Sequence, residues 1–158
     1  MSLKIEYAAV ARCTPEHVWR VFEKIELWPR WDPSAIREVR WLSGEPWTKG
    51  AKFEIAMLKP MAFTLTPEVV EAEPPVYVHL LGKGSGVTGE QHYIFKWMPE
   101  TKSTEVRTLQ EFSGGPILFL GSSLKPGIEA GIQHMFGRVI EEAEALAREE
   151  AAAPPGEG

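Results

Sequence analysis

From Ile117 to Leu146 the apolar residues recur every third or fourth position: Ile117, Leu120, Leu124, Ile128, Ile132, Met135, Val139, Ala143 and Leu146. No other feature restricts the folding of this chain as strongly. Such a stripe is the pattern of one long amphipathic helix, with its glutamates on the other faces. A helix with that much apolar surface must lie on a second layer. Pro126-Gly127 falls inside the stripe and predicts a kink or a fresh start there.

The chain before Gly115 supplies the second layer. Residues 3–13 alternate, with Leu3, Ile5, Tyr7, Ala9 and Ala11 on one side, and predict a strand. Thr14-Pro15-Glu16 opens a short helix: threonine caps it, proline suits the first turn, and glutamate favours its positive end. The two prolines of Trp28-Pro-Arg-Trp-Asp-Pro33 stop regular helix. Strands are then predicted at 35–42, 52–58, 62–72, 76–81, 90–98 and 104–112, separated by Pro, Gly or polar turns. Their short connections imply antiparallel pairing. The class is α+β.

The last hairpin shows which face points inward. With residues 99–102 as its loop, Met98 faces Ser103, Lys96 faces Glu105, Phe95 faces Val106, Tyr93 faces Thr108 and Gln91 faces Gln110. This register puts opposite charges on one face and apolar pairs on the other. The inner face then holds Tyr93, Phe95, Trp97, Val106, Thr108, Gln110 and Phe112, and the same parity turns Phe53, Ile55 and Met57 inward. An inner face that mixes large aromatics with Tyr, Thr and Gln has two readings. One is a core whose polar groups satisfy each other. The other is an apolar ligand cavity with a few orienting groups. Gly127, Gly131 and Gly137 on the helix leave volume beneath it or simply permit close packing.

Composition excludes several functions. The chain has 158 residues, 44% of them apolar and 25% charged, which fits one globular domain, read as residues 1–150 with 151–158 a frayed tail. The formal charge is −5, residues 138–158 hold six glutamates against two arginines, and there is no basic stripe for nucleic acid. No apolar run approaches the ~18 residues of a membrane span, so no integral membrane segment is expected. The N-terminus carries no signal-peptide apolar core, and a cytoplasmic location is expected. Cys13 is the only cysteine and Asp32 the only aspartate. A disulfide within the chain, a cysteine zinc site and an iron–sulfur cluster are therefore excluded.

Other motifs read as structure. Gly84-Ser-Gly-Val-Thr-Gly89 matches a dinucleotide-binding pattern, but a strand follows where a helix is required; it is read as a hairpin at the cavity mouth. His17, His79, His92 and His134 show no ligand spacing, and neither metal nor cofactor is expected. His79 and His134 are placed within reach of the cavity, and His92 outside it. Five of the six tryptophans fall between residues 19 and 47; they pack short helices on the sheet or form a protein-binding patch. Arg138 reads as a solvated or snorkelling charge, with a ligand-carboxylate anchor as the other option.

The layout resembles the START-like helix-grip (SRPBCC) superfamily, and most closely its polyketide cyclase/dehydrase and lipid-transport family. The residues that carry the resemblance are Thr14-Pro-Glu-His-Val-Trp-Arg-Val-Phe22, Trp28-Pro-x-Trp31-Asp32 and the Gly-Gly-Pro116 run before the last helix. It extends over residues 3–150. It implies a curved sheet of about seven strands gripping the C-terminal helix, two short helices after the first strand, and a hydrophobic cavity between sheet and helix. Members bind lipids, sterols, hormones, quinones or polyketides, and some cyclise or dehydrate polyketides. The expected ligand-binding set is Phe53, Ile55, Met57, His79, Tyr93, Phe95, Trp97, Thr108, Gln110, Phe112, Met135 and Val139. No catalytic residue transfers from the resemblance. The expected function is a carrier or sensor of a small hydrophobic molecule; the alternatives are a cyclase or dehydratase acting by proton transfer, and a partner-binding module similar to chaperone activators.

Overall fold

The computed structural model describes residues 2–59 and 62–152, the side chain of Leu118 excepted. Seven strands, β1 (Leu3–Ala11), β2 (Ile36–Ser43), β3 (Lys52–Met57), β4 (Phe63–Glu73), β5 (Tyr77–Gly84), β6 (Val87–Met98) and β7 (Ser103–Gly114), form one antiparallel sheet in the order β1-β7-β6-β5-β4-β3-β2. Helices α1 (Pro15–Phe22) and α2 (Trp28–Trp31) follow β1, and α3 (Gly115–Ala152) closes the chain. This is the α+β helix-grip arrangement. The boundary expected at residue 150 falls inside α3, and residues 153–158 of the expected tail lie outside the described residues.

The β6–β7 ladder has the register derived from charge and parity, with Lys96 opposite Glu105, Phe95 opposite Val106 and Tyr93 opposite Thr108. The charge pairing differs in detail. Glu105 accepts from Arg107 Nε at 3.1 Å, and Arg107 also bonds Glu6 of β1 at 2.6 Å. Arginine's fork bridges two carboxylates on neighbouring strands, which a lysine ammonium does less well. Lys96 is exposed. Lys96→Glu is therefore expected to cost under ~1 kcal/mol in chemical denaturation, as surface charges contribute little.

Local chemistry explains the short helices. Thr14 caps α1 through its hydroxyl, and the His17 ring reaches back to the Thr14 N–H at 3.3 Å. Pro29 occupies the first turn of α2, where a missing N–H costs nothing. The Trp-Pro-x-Trp segment thus forms one helical turn where only a stop is expected from its prolines. The tryptophans do more than pack. Trp28 Nε1 donates to the Phe22 carbonyl and Trp47 Nε1 to the Glu23 carbonyl, both at 2.9 Å. Both carbonyls lie at the C-terminal end of α1, where helical partners run out; that of Glu23 also accepts from Ile25 N at 3.0 Å. Trp19, Trp28, Trp31 and Trp47 are buried, so the cluster is core and not an exposed patch.

Helix α3 runs continuously through Pro126, so of the expected kink or fresh start the fresh start does not occur. The carbonyl of Ser122, which loses its N–H donor there, sits on an exposed stretch where water can serve it. The acidic end of α3 is tied down by the N-terminal third of the chain. Glu144 accepts from the Arg12 N–H at 2.8 Å, Glu150 from the His17 ring at 2.8 Å and from Arg20, and Glu142 lies 3.6 Å from Arg30. The bonds from His17 and Arg20 hold the Glu150 carboxyl below its ordinary range. The second half of α3 is thereby pinned to β1 and α1, where Phe136, Val139 and Ala143 are buried. Its first half spans the other end of the sheet.

Candidate functional site

At the start of α3 Ile117 packs on Leu3, Ile5 and Phe112, and beyond it a cavity of about 950 Å³ opens between sheet and helix. That is within the roughly 300–1,000 Å³ of small-molecule sites. Ile55, Met57, Leu65 and Phe112 line its sheet side, while Ile128 and Ile132 line its roof. Gly127 and Gly131 also border it, so the small helix residues make room; Gly137 does not. The mouth lies among residues 33–35 after α2, Lys59 and Phe63 around the β3–β4 connection, and Ser85 at the β5–β6 turn. That turn has φ of +52° at Ser85 and +77° at Gly86, the left-handed pair that a two-residue hairpin needs. The glycine-rich segment is accordingly a hairpin at the mouth.

Polar groups gather on one part of this apolar wall. Gln91 Nε2 donates to Gln110 Oε1 at 3.1 Å, and Gln110 Nε2 in turn donates to Thr108 Oγ1 at 3.1 Å and Tyr93 Oη at 3.4 Å. Thr108 donates onward to the His92 carbonyl at 2.9 Å. Tyr93, Gln91 and Gln110 line the cavity, whereas Thr108 is fully buried behind them and anchors the network. Burial raises the Tyr93 phenol far above its ordinary value, so at neutral pH it keeps its proton. Its oxygen accepts from Gln110, which leaves its O–H to donate into the cavity.

Asp32 sits on the wall between Trp31 and the mouth and is only 6% exposed. Its backbone carbonyl accepts from Ile36 N, which fixes the turn, and its Oδ1 accepts from Ser34 Oγ at 3.1 Å. The other oxygen, Oδ2, lies against Gly131 of α3 and takes no donor from the described residues. The site therefore offers one phenol donor, two amides and one carboxylate to whatever fills the apolar space.

A sequence profile described as polyketide cyclase/dehydrase and lipid transport matches residues 2–148. The chain belongs to that family. No curated protein matches it by sequence. Among solved structures of similar fold, a conserved protein from Geobacillus kaustophilus is 17% identical with a TM-score of 0.69, over 90% of this chain and 95% of that one. The Zhui aromatase/cyclase from Streptomyces sp. R1128 is 12% identical, TM-score 0.67, over 99% of each. A START superfamily protein from Mycobacterium smegmatis is 10% identical, TM-score 0.64, over 94% and 99%. At such identities these likenesses establish the fold alone.

For this family member, the structure separates the twelve expected ligand-binding residues into groups. Ile55, Met57, Tyr93, Gln110, Phe112 and Met135 border the cavity. Phe53, Phe95, Thr108 and Val139 point inward as expected but are buried in packed protein beyond it, at 0–2% exposure. Trp97 shares their parity, yet it stands near the end of β6 and is 40% exposed. His79 is on the opposite face: Val78 and Leu80 point inward, so the residue between them points out. His134 lies at the mouth on α3. Asp32, Gln91, Leu65 and Val87 belong to the cavity and were missed. Gln91 shares the parity of Tyr93 and was within reach of the register argument; nothing in the sequence places Asp32.

The outward histidines meet one another. His79 and His92 stack with ring centroids 4.1 Å apart, and Glu90 Oε1 lies 2.8 Å from His79 Nε2 and 3.6 Å from His92 Nε2. Linear spacing hid this cluster because two strands contribute to it. Cys13 has no comparable role: burial, with Glu144 nearby, pushes its thiol up to about 11, and it stays protonated. No described helix is long and apolar enough to cross a membrane.

Proposed function

We propose that this protein carries or senses one small, mainly apolar molecule with a polar group at one end. The observation behind this reading is the Tyr93–Gln110–Gln91 network, whose donors and acceptors face a mainly apolar cavity. A core closed on itself would leave no such volume beside it. The aliphatic floor and roof take the body of the ligand through the hydrophobic effect, worth roughly 25 cal/mol per Å² buried. The phenol and amides hold its carbonyl or hydroxyl and set its direction. The family's description supports a ligand drawn from lipids or polyketides.

Asp32 favours a second reading, catalysis by proton transfer. A carboxylate oxygen without a donor among the described residues, in the wall of a mainly apolar cavity, has the position of a general base. The neutral Tyr93 hydroxyl would then stabilise charge developing on a substrate carbonyl.

The test begins with native mass spectrometry of untagged, freshly purified protein. It continues with displacement of an apolar fluorescent dye by a fatty acid and by a flavonoid. Carrier and enzyme readings both expect a single extractable adduct, or dye displacement near 1:1. Absence of both results would sink the cavity as a ligand site. Asp32→Asn divides the two readings: it leaves binding by a carrier within a few-fold and abolishes turnover by an enzyme.

A further inference from the structure

We propose that the outer face of the β5–β6 hairpin binds one transition-metal ion of the zinc type through His79, Glu90 and His92. This site lies on the side of the sheet away from the cavity and is independent of the ligand reading. His79 and His92 are directly opposite in the β5–β6 ladder. Glu90 precedes His92 by two positions, so it projects from the same face. Antiparallel pairing therefore sets all three side chains on one spot, and each offers one ligand atom within 4.8 Å of the others.

The donor set selects the ion. Two imidazole nitrogens and one carboxylate oxygen are the three protein ligands of many open zinc sites, with water in the fourth position. Imidazole suits zinc, copper and nickel, whereas magnesium and calcium prefer all-oxygen shells. Ligand atoms around a tetrahedral zinc stand roughly 3.3 Å apart, given bonds of about 2.0–2.2 Å. The Glu90 oxygen is 2.8 Å from one ring nitrogen and 3.6 Å from the other, on either side of that value. The rings stand stacked, 4.1 Å between centroids and 16° between planes, so binding requires a tilt about χ2, a broad torsion in histidine, to bring the two lone pairs to a common point.

The surroundings are arranged as metal sites require. Tyr77 Oη lies 2.8 Å from His92 Nδ1. With Nε2 bound to an ion, Nδ1 carries the proton and donates to Tyr77, a contact that favours the tautomer metal binding needs. The histidine side chains are only 18% and 29% exposed, so little freedom is left to lose on binding. Glu71 stands opposite His79 on β4 and adds negative charge beside the site. An ion here would join β5 to β6 through side chains as well as the backbone ladder.

The test is calorimetric titration of the untagged, EDTA-treated full chain with zinc chloride, and separately with magnesium chloride. We expect one equivalent of zinc at micromolar affinity and no measurable magnesium binding. His79→Gln and His92→Gln should each weaken zinc at least tenfold, and the near-isosteric Glu90→Gln, at a half-buried position, should do the same. Cobalt titration supplies an independent readout: visible absorption of a tetrahedral centre, lost in the same variants. Metal-free melting curves close to that of the parent show that the variants are folded. No stoichiometric zinc binding by the parent would overturn the proposal, as would zinc affinity unchanged in folded His79→Gln and His92→Gln variants.

Discussion

Phe95→Ala is expected to destabilise the protein by about 3–5 kcal/mol, the range for truncating a large aromatic in a tightly packed core. The ring is 1% exposed and meets Phe22 edge-on at 5.4 Å between centroids. Phe22 in turn touches Trp28, Trp47 and Tyr93, so the loss is felt through the aromatic block that holds α1 and α2 on the sheet. The void cannot easily close, because those rings are themselves locked between helix and sheet. A typical domain has only ~5–15 kcal/mol in total, so the variant should lose a large part of its stability. Urea denaturation measures this as a lower midpoint at unchanged slope. A cost below ~1.5 kcal/mol would mean that the ring borders free space and that the packed region begins elsewhere.

Gln110→Leu should act in the opposite sense, sparing the fold and damaging recognition. It keeps approximate volume, and its neighbours Tyr93 and Gln91 can turn their polar ends into the cavity, where water can reach them. Melting temperature should therefore stay within a few degrees or rise. Affinity for a probe bearing a carbonyl or hydroxyl should fall about ten- to a hundredfold, the equivalent of the ~1–3 kcal/mol lost with a buried hydrogen-bonding partner. Tyr93→Phe should weaken the same probe without affecting a purely apolar one. Thr108→Val is the contrast. Thr108 is fully buried and bonds the His92 carbonyl and Gln110, so its loss should cost about 1 kcal/mol of stability and alter binding less. Dye displacement and thermal melts on the three variants check this. If Gln110→Leu lowers the melting temperature markedly while the protein, still folded at the assay temperature, binds the probe with unchanged affinity, the network is structural and the proposed orientation of the ligand fails.

What could be read from the residues alone was whatever depends on local periodicity. A strand repeats every two residues and a helix every 3.6, so the stripe from Ile117 to Leu146 and the alternation around Tyr93 identify α3 and β6 before any contact is known. The β6–β7 register followed as well, because a one-residue slip would have put Lys96 inside. The Thr14 cap and the Ser85-Gly86 turn are likewise local, set by hydrogen bonds and dihedrals of adjacent residues. Parity, however, tells only which way a side chain points and not what stands above it. Phe95 and Tyr93 face the same way, yet one is sealed under Phe22 and the other borders the cavity. Trp97 continues the series and is exposed. The pinning of α3 to the end of β1 and to α1 by Glu144 and Glu150 fixes where the helix lies on the sheet and so which of its residues border the cavity. Those partners are more than a hundred residues away in sequence. The approach of Asp32 to Gly131 and of His79 to Glu90 and His92 has the same origin. Each brings together groups from separate elements, and only the order of strands and the path of the last helix put them within reach.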